Sequence, residues 1–597
     1  MKKEIIILLI SVIFCIPFTG CTKDFEEINR NKHEFNEIDP EYQMSSAIKK
    51  SINWLAYMNA KLYWSYSHQI TIGGDEANYG SSISDVNTIW KDFYSTIYML
   101  KSIERDHKDK EGYDNRILIS QIWQSYLFFI QTTTFGAIPY THAADPTTTI
   151  IPYDKETDIY AGILETLKNA CEKLDPGKDK LIPDIVFGTG DKKEGDIERW
   201  RSFAYCLRLK IALEIQNVLP DLAQEHASDV MAHESELLSS NNDNMFVQWG
   251  GSNSTEYSWY YEKYVYDQTT SDNSRPYFSH LMFVYMRSYP DPRMEKYAQP
   301  TEVPFYIQDT LYDATYTMRA VVRYQIPYNG RPKTTQMAGL DDNEGSDTDN
   351  NPMKSLASTQ FSKINTDFLN ADGKQLFMWY SDVCFMKAEA AQKGYGGSKN
   401  AEQYYYDGID ASFAQYGLSQ TQATAYKELD GVKWGTEKMD AHPDFRKLAY
   451  TNIANDPMQK IIVQRWLAGY FYGAHDAWCY IRRTRLIDLP PHLNPTKLAV
   501  GGQTIVANLP ERLHYPNDEV KYNNSSYNAA VATLGGGGDI TPTYLKMALP
   551  YNRKSSDEWR VTPVYLNSEA WFKWYGYTIN DVINAGADYQ IIGIVEE

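Results

Sequence analysis

The sequence carries one cysteine whose position suits covalent lipidation. Cys21 follows Thr19 and Gly20, two small residues at the end of an apolar run over residues 5–18. That run is shorter than the roughly 20 residues of a membrane-spanning helix, and it is typical of the apolar region of a secretory signal. We therefore expect residues 1–20 to be removed and Cys21 to become a lipidated N-terminus. The alternative is an ordinary signal peptide with an incidental cysteine.

Two stretches combine aromatic rings with amide and carboxylate side chains, the residue types that bind sugars. They are GGDEANYGSS (residues 73–82) and QWGGSNSTEYSWYYEKYVY (residues 248–266). The candidate ligand-binding residues are Asp75, Asn78, Tyr79, Trp249, Asn253, Glu256, Tyr257, Trp259 and Tyr260. In a loop these rings would lack a helical stripe to explain them. In a helix or strand some of these rings would be core residues. Ligand contact and core packing therefore both stay open for each ring.

One acidic segment, LDDNEGSDTDNNP (residues 340–352), offers oxygen ligands of the kind that calcium prefers. Its acidic residues are Asp341, Asp342, Glu344, Asp347 and Asp349. Their spacing is not that of an EF-hand, because Ser346 stands at the sixth position, where that loop requires glycine. We expect a solvated acidic loop and no cofactor, with calcium binding as the alternative.

No motif for bond chemistry is present. HExxH, GxSxG and the P-loop are absent, and GTGDKKEG (residues 188–195) lacks the Gly-Lys-Ser/Thr of a phosphate-binding loop. The 77 acidic residues would always allow a carboxylate pair to be imagined, but the sequence does not give the separation that decides glycoside hydrolysis. The 11 histidines show no ligand spacing. We therefore expect a binding protein and no enzyme.

The composition narrows the class of partner. The net charge of −19 argues against nucleic acid. The 47 tyrosines outnumber the 22 phenylalanines and 14 tryptophans together, which suits a sugar-binding surface, although most of them must be core residues. After the signal segment the cysteines are Cys171, Cys206, Cys384 and Cys479. They form no CxxC pair, and buried free thiols are expected.

The hydrophobic periodicity predicts a mostly α-helical protein. Helices are predicted over 42–131, with a polar break at 72–85, and over 158–174, 199–218, 376–393, 401–416 and 458–472. Asp196 is a predicted N-cap, and Pro220 is placed to begin a further helix. We predict one domain over 42–597, with an irregular insert at about 240–370 that contains a strand at 319–328, and a loop-rich tail at about 486–597.

The segments FMWYSDVCFMKAEAAQKG (377–394) and NAEQYYYDGIDASFAQYG (400–417) predict a helix-turn-helix pair. Small residues such as Ala388 and Ala390 allow close helix approach, and the glycine-rich break between the segments makes the turn. This is the logic of a tetratricopeptide-like unit, which stacks on similar neighbours.

With these segments the chain resembles the SusD/RagB family of outer-membrane nutrient-binding lipoproteins, in its SusD-like second subfamily. The sharpest matches are QRWLAGYFYGAHDAWCYIRRT (464–484) and LPERLHYPNDEVKYN (509–523), with others at 134–143, 153–170, 195–213 and 380–394. Ala137 departs from the acidic residue usual in the family's FGD-P-Y turn.

We interpret the two sharpest matches as scaffold. Arg482 and Arg483 offer donor forks that could pin carboxylates or helix carbonyls. Arg512 and Glu519 could fasten the tail.

The resemblance implies a non-catalytic lipoprotein on the outer surface of the outer membrane, with residues 21–41 as the lipidated tether. The acidic start at Asp24, Glu26 and Glu27 resembles the signal that sends Bacteroidetes lipoproteins to that surface. The protein would bind an oligosaccharide or polysaccharide with its insert, and its tetratricopeptide-like face would lie against a SusC-like TonB-dependent barrel. The alternatives are capture of peptides or glycoprotein fragments, and a structural lid without a ligand of its own.

Overall fold

The structure is a computed structural model of the chain. The residues it describes are 40–72, 82–148, 150–267, 275–302, 305–312, 318–331, 361–438, 453–487, 489, 498–500, 503–505, 509–510, 512–533 and 589–594. Across these ranges no helix is both long enough and apolar enough to cross a membrane. The predicted signal segment, Cys21 and most of the tether lie outside them, as do the acidic residues 341–349.

The first half of the described chain is a series of helices that pack on their neighbours in sequence. These are α1 (Pro40–Met58), α2 (Ile83–His107), α3 (Asp114–Phe135), α4 (Glu156–Lys173), α5 (Ile197–Ile215) and α6 (Pro220–Ala232), and each packs on the next. A π-helical turn, Asn59–Tyr63, extends α1, and the two-residue strand β1 (Ile70–Thr71) follows. As predicted, the Asp196 side chain accepts hydrogen bonds from the first amides of α5, and Pro220 begins α6.

The region predicted as an irregular insert contains short elements. They are β2 (Met245–Gln248), α7 (Trp259–Tyr261), β3 (Tyr277–Phe278), α8 (His280–Ser288), α9 (Met294–Tyr297), β4 (Phe305–Tyr312) and β5 (Met318–Ile326). A π-helical turn, Glu262–Tyr266, continues α7. β1 and β3 pair antiparallel, with Ile70 opposite Phe278. The strand predicted at 319–328 is confirmed as β5. The division into one domain with an insert and a tail stays a prediction.

The second half returns to helices. Its elements are β6 (Lys374–Met378), α10 (Tyr380–Gln392), α11 (Ala401–Gln415), α12 (Gln420–Lys427), α13 (Pro457–Ala468), α14 (Ala474–Thr484), β7 (Leu498–Val500), β8 (Gln503–Ile505), α15 (Asn517–Tyr522), α16 (Asn524–Thr533) and β9 (Tyr589–Ile594). The strands pair as β2–β6, β4–β5–β9 and β7–β8, all antiparallel. The helix predicted from residue 376 begins only at Tyr380, because Leu376 pairs with Phe246 across β6 and β2.

The predicted helix-turn-helix pair is confirmed as α10 and α11. Gly394, Gly396 and Gly397 in the turn all have positive φ, which glycine adopts without steric cost. A Cβ on Gly408 would lie 2.7 Å from the ring of Phe385, so the glycine permits the close approach of the two helices.

The helix predicted over 458–472 is α13, which ends at Ala468, and α14 begins only at Ala474, after the predicted range. Phe471 has a φ of 72°, and Gly469 and Gly473 flank the break. A Cβ on Gly473 would lie 3.0 Å from the ring of Trp379, so this glycine lets the chain pass close to the indole.

The scaffold interpretation of the two sharpest motifs agrees with their contacts. Arg482 Nη1 donates to the carbonyl of Thr133 near the end of α3, at 2.9 Å. Arg483 forms a two-pronged ion pair with Glu389 of α10. Arg512 Nε donates to the Phe135 carbonyl at 3.0 Å.

The buried apolar side chains form one cluster, which extends from α1 to α16 and includes many of the tyrosines. The four cysteines of the described chain, Cys171, Cys206, Cys384 and Cys479, are free and buried, as expected. Burial raises the pKa of each of these thiols to about 12.

Candidate ligand-binding surface

Three tyrosines come together at the surface around α7. The Ser258 hydroxyl accepts from the Tyr261 amide at 3.2 Å and donates to the carbonyl of Asn370 at 2.7 Å, which caps the helix and ties it to the loop before β6. The ring of Tyr257 then lies edge to face with Tyr261 at 4.8 Å and with Tyr266 at 5.3 Å between centroids. Tyr266 keeps 56 % of its surface exposed. The cap and the π-helical turn thus present these rings at the surface.

Trp259 is half-buried beside these tyrosines, and neighbouring rings fix its orientation. It lies edge to face with Tyr57 of α1 at 6.2 Å, with Tyr260 at 5.6 Å and with Tyr264 at 6.1 Å. Such ring pairs contribute about 0.5 to 1.5 kcal/mol each beyond their buried area. The indole is therefore held in one orientation before any ligand arrives.

A groove of about 510 Å³ runs beside Trp259, within the roughly 300 to 1,000 Å³ typical of small-ligand sites. The residues that line it are Trp259, Glu262, Lys263, Tyr266 and Asp267. Lys263 and Asp267 form an ion pair of 3.3 Å at its rim. The groove is thus lined by two aromatic rings, two carboxylates and an ammonium, and such groups can stack on a sugar and hydrogen-bond its hydroxyls. We name the groove together with Tyr257 and Tyr261 the aromatic platform.

Two of the predicted ligand-binding rings, Trp249 and Tyr260, are core residues in this structure. Trp249 is 7 % exposed and Tyr260 is 3 % exposed. Tyr260 stacks on Trp64 at 5.4 Å, packs on Phe471 at 4.7 Å, and its hydroxyl accepts from Asn59 Nδ2 at 3.1 Å. Burial raises the pKa of Tyr260 above its ordinary value. Burial of both rings, and the packing of Tyr260 on Trp64 and Phe471, place them in the core, so the structure does not present either ring face to a ligand at the surface, and we correct their assignment accordingly.

Asn253 and Glu256 belong to the loop before α7 and organise that loop. The exposed Asn253 accepts hydrogen bonds from the amide and hydroxyl of Thr255, at 3.0 and 2.6 Å, as in an Asx turn. Glu256 accepts from the Ser252 hydroxyl at 2.8 Å and packs over Gly250, where a Cβ would lie 2.2 Å from its Oε2. Both side chains are already engaged within their own turn.

The predicted residues Asp75, Asn78 and Tyr79 lie outside the described residues, as does Cys21. The described chain resumes close to the platform, however. Asp85, in the first turn of α2, accepts a hydrogen bond from the hydroxyl of Tyr57, and the ring of Tyr57 contacts Trp259. Burial alone would raise the pKa of Asp85, but hydrogen bonds from Ser82 and Tyr57 outweigh it and lower the pKa. The first turn of α2 is therefore linked to Trp259 through Tyr57.

Several platform residues were not singled out from the sequence. These are Tyr261, Glu262, Lys263, Tyr266 and Asp267. The four-residue spacing of Tyr257 and Tyr261, which places two rings on one face of a helix, was the available signal. Within the described ranges, no group of three or more His, Cys, Asp or Glu side chains is arranged to hold a metal ion.

Comparison with known proteins finds a matching family and similar solved structures. A family model described as SusD-like, "Susd and RagB outer membrane lipoprotein", matches residues 23–545. A solved structure of a chitin-binding protein shares 20 % identity, with a TM-score of 0.65, over 86 % of this chain and 100 % of that one.

Two further solved structures are similar. A SusD homologue of Bacteroides uniformis shares 20 % identity, with a TM-score of 0.63, over 86 % of this chain and 100 % of that one. A chitin-binding SusD homologue of Flavobacterium johnsoniae shares 19 % identity, with a TM-score of 0.61, over 86 % and 99 %. At these identities the likeness shows the fold alone. No curated protein matches the sequence.

Proposed function

The chain belongs to the SusD-like family of SusD and RagB outer-membrane lipoproteins, and from this premise we propose that it captures an oligosaccharide or polysaccharide at the cell surface. It would deliver this ligand to a partner SusC-like TonB-dependent transporter. Its contribution is recognition and transfer, without breaking a bond in the ligand.

The observation that carries the proposal is the aromatic platform. Tyr257, Trp259, Tyr261 and Tyr266 keep surface exposed although each could bury more than 100 Å² of apolar area in a core. Their mutual packing holds the rings in fixed orientations, and Glu262 and Asp267 place carboxylates beside them. Ring faces with adjacent carboxylates are the complement of a sugar, whose C–H faces stack and whose hydroxyls donate. A preformed surface also reduces the ordering entropy lost on binding.

The proposal includes the anchor. An acyl group on Cys21 would hold the chain at the outer membrane without a spanning helix, at about 0.8 kcal/mol for each buried methylene. A mass spectrum of the mature N-terminus is expected to show acylated Cys21, and an unmodified cysteine there would contradict this part of the proposal.

Two other functions remain to be separated from sugar capture. A peptide site would favour backbone pairing along a strand edge, whereas the residues that line the groove come from α7, its π-helical turn and the residue after it. This difference favours sugar. A purely structural lid would bind no ligand of its own.

Calorimetry on the soluble chain that begins after Glu27 distinguishes the three functions. The panel includes chito-oligosaccharides, because two similar structures are described as chitin-binding, together with neutral plant and host polysaccharides and casein-derived peptides. Heat of binding with one glycan class is the expected result. A heat of binding with peptides but not with glycans would establish peptide capture. No heat of binding with any ligand of the panel would leave only the function of a structural lid.

A further inference from the structure

A second groove lies on the helical side of the molecule, among α2, α3 and α4. Its volume is about 470 Å³, within the roughly 300 to 1,000 Å³ typical of ligand sites. The residues that line it are Lys101 and Glu104 of α2, Gln121, Gln124, Ser125 and Phe128 of α3, Tyr140 and Thr141 of the following loop, and Glu165, Thr166 and Asn169 of α4. We name it the interhelical groove. Nine of these residues are polar or charged, so the groove is no gap in the apolar core.

An aromatic ring in a fixed position forms part of this groove. The Tyr140 ring lies against the backbone of Gly162 in α4, where a Cβ would come within 2.8 Å of Cε1 and 2.9 Å of Oη. The ring also packs edge to face on Phe128 at 4.8 Å. Glycine at position 162 thus makes room for the ring. Burial raises the pKa of Tyr140, although a hydrogen bond with Thr166 opposes the rise.

The walls of the interhelical groove carry both hydrogen-bond donors and hydrogen-bond acceptors. Lys101 Nζ donates to the carbonyl of Tyr140 at 3.1 Å. Glu104 extends from α2 on one side and Glu165 from α4 on the other, and Asn169 follows Glu165 by one turn. Within the part of the chain that the structure describes, neither carboxylate nor the Asn169 amide forms a side-chain hydrogen bond or a close ion pair, although Glu104 attracts the Lys101 ammonium electrostatically. Their polar ends are available to a ligand.

This set of groups discriminates among ligand classes. Two carboxylates and one ammonium disfavour an anion, and an apolar ligand would leave the carboxylates and amides without partners. No described group of His, Cys, Asp and Glu side chains is arranged here for a metal ion. A neutral polyhydroxyl ligand satisfies all of them, because each sugar hydroxyl both donates and accepts. Its ring could also rest on the tyrosine.

We propose that the interhelical groove is a second oligosaccharide-binding site, separate from the aromatic platform. This inference rests on the proposed function, since it assigns the same class of ligand to another surface. Asp85, which adjoins the platform through Tyr57, and Lys101 both belong to α2. At 1.5 Å per residue they lie about 24 Å apart along that helix. A long glycan chain that reaches both sites gains affinity through effective concentration, whereas a short oligosaccharide fills them independently.

The test is gel electrophoresis of the soluble chain in gels that contain one soluble polysaccharide each, either glycol chitin or a polysaccharide of the panel above. Binding to the polysaccharide retards migration of the protein. The groove variant is Glu165→Ala with Asn169→Ala. Its matched control is Glu172→Ala, an exposed glutamate on the same helix that does not line the groove. Trp259→Ala reports on the platform. Melting curves of all variants identify any that fail to fold. A second groove variant, Gly162→Ala, places a methyl group 2.8 Å from the Tyr140 ring, so the ring must shift, and this variant replaces the first if the first fails to fold.

The expected result is that the groove variant binds at least about fivefold more weakly than its control, as for the loss of two hydrogen bonds, and that Trp259→Ala retains residual binding. Groove variants that equal Glu172→Ala, with all binding lost in Trp259→Ala, would overturn the second site and leave the proposed function intact. If no glycan retards even the wild-type chain, the proposed function fails and the second site with it.

Discussion

Glu389 should be among the most sensitive positions in the scaffold. Its side chain on α10 is fully buried and receives Arg483 of α14 as a two-pronged pair, at 2.6 and 3.1 Å. Gln216 Nε2 donates to the same carboxylate at 2.7 Å, and Arg465 Nη1 of α13 stands 3.6 Å away. One carboxylate therefore connects three helices and the end of α5. Glu389→Gln keeps the shape and removes the charge.

The magnitude follows from what the substitution leaves behind. Removing one partner of a buried ion pair costs about 3 to 5 kcal/mol, because the remaining charge stays desolvated and unpaired. Arg483 keeps a contact with Glu214 at 3.3 Å, and Arg465 keeps Asp382 at 2.6 Å. Since these contacts and the glutamine oxygen compensate in part, we expect a loss near the lower limit, about 3 kcal/mol.

The assay is urea unfolding of the soluble chain followed by tryptophan fluorescence, with Glu172→Gln as the exposed control. The control should lie within about 0.5 kcal/mol of wild type. Glu389→Gln combined with Arg483→Met should recover part of the loss, because it removes the unpaired charge as well. A Glu389→Gln variant as stable as the control would refute the reasoning, as would a double variant whose losses simply add.

Two further predictions concern pH and packing. His226 is buried and accepts from Arg208 Nε at 2.8 Å, and burial together with that cation lowers its pKa from 6.5 to about 4. The unfolded chain therefore binds the proton more readily, so the free energy of unfolding should fall as pH drops from 6.5 to 4, and His226→Gln should flatten that slope in urea unfolding at several pH values. If the variant keeps the wild-type slope, groups other than His226 cause the dependence of the free energy of unfolding on pH. Gly408→Ala should cost about 1 to 3 kcal/mol, because its Cβ would lie 2.7 Å from the ring of Phe385. A neutral or positive change in melting temperature would show that the ring moves freely.

Much of the helical scaffold could be predicted from the sequence, because local periodicity and capping determine it. The start of α5 follows from the N-cap Asp196 and the apolar stripe after it, although the helix ends at Ile215, three residues before the predicted end. The α10–α11 pair follows from its glycine turn. Long-range contacts decide the rest. Leu376 is in a strand because it pairs with residues more than a hundred positions earlier.

The binding surfaces depend still more on distant contacts. Tyr260 is a core residue because Trp64 and Phe471, remote in sequence, enclose it. Tyr257, three residues earlier, stays at the surface because its neighbours are Tyr261 and Tyr266. The interhelical groove was not predicted, since its walls come from three helices and a loop whose polar residues each resemble an ordinary solvated face.

The most direct test of the central claim is the affinity of Trp259→Ala for the glycan that the wild-type chain binds. Loss of one stacked ring should cost about 1 to 2 kcal/mol of binding free energy, a five- to thirty-fold rise in Kd by calorimetry. The variant should still fold cooperatively, with a melting temperature lowered by the loss of the ring contacts with Tyr57, Tyr260 and Tyr264. Tyr113→Ala is the control, because Tyr113 packs on His107, about 33 Å along α2 from Asp85 beside the platform. An unchanged Kd for Trp259→Ala would contradict the account, and equal losses for both variants would show a general effect on folding instead of a binding site at the platform.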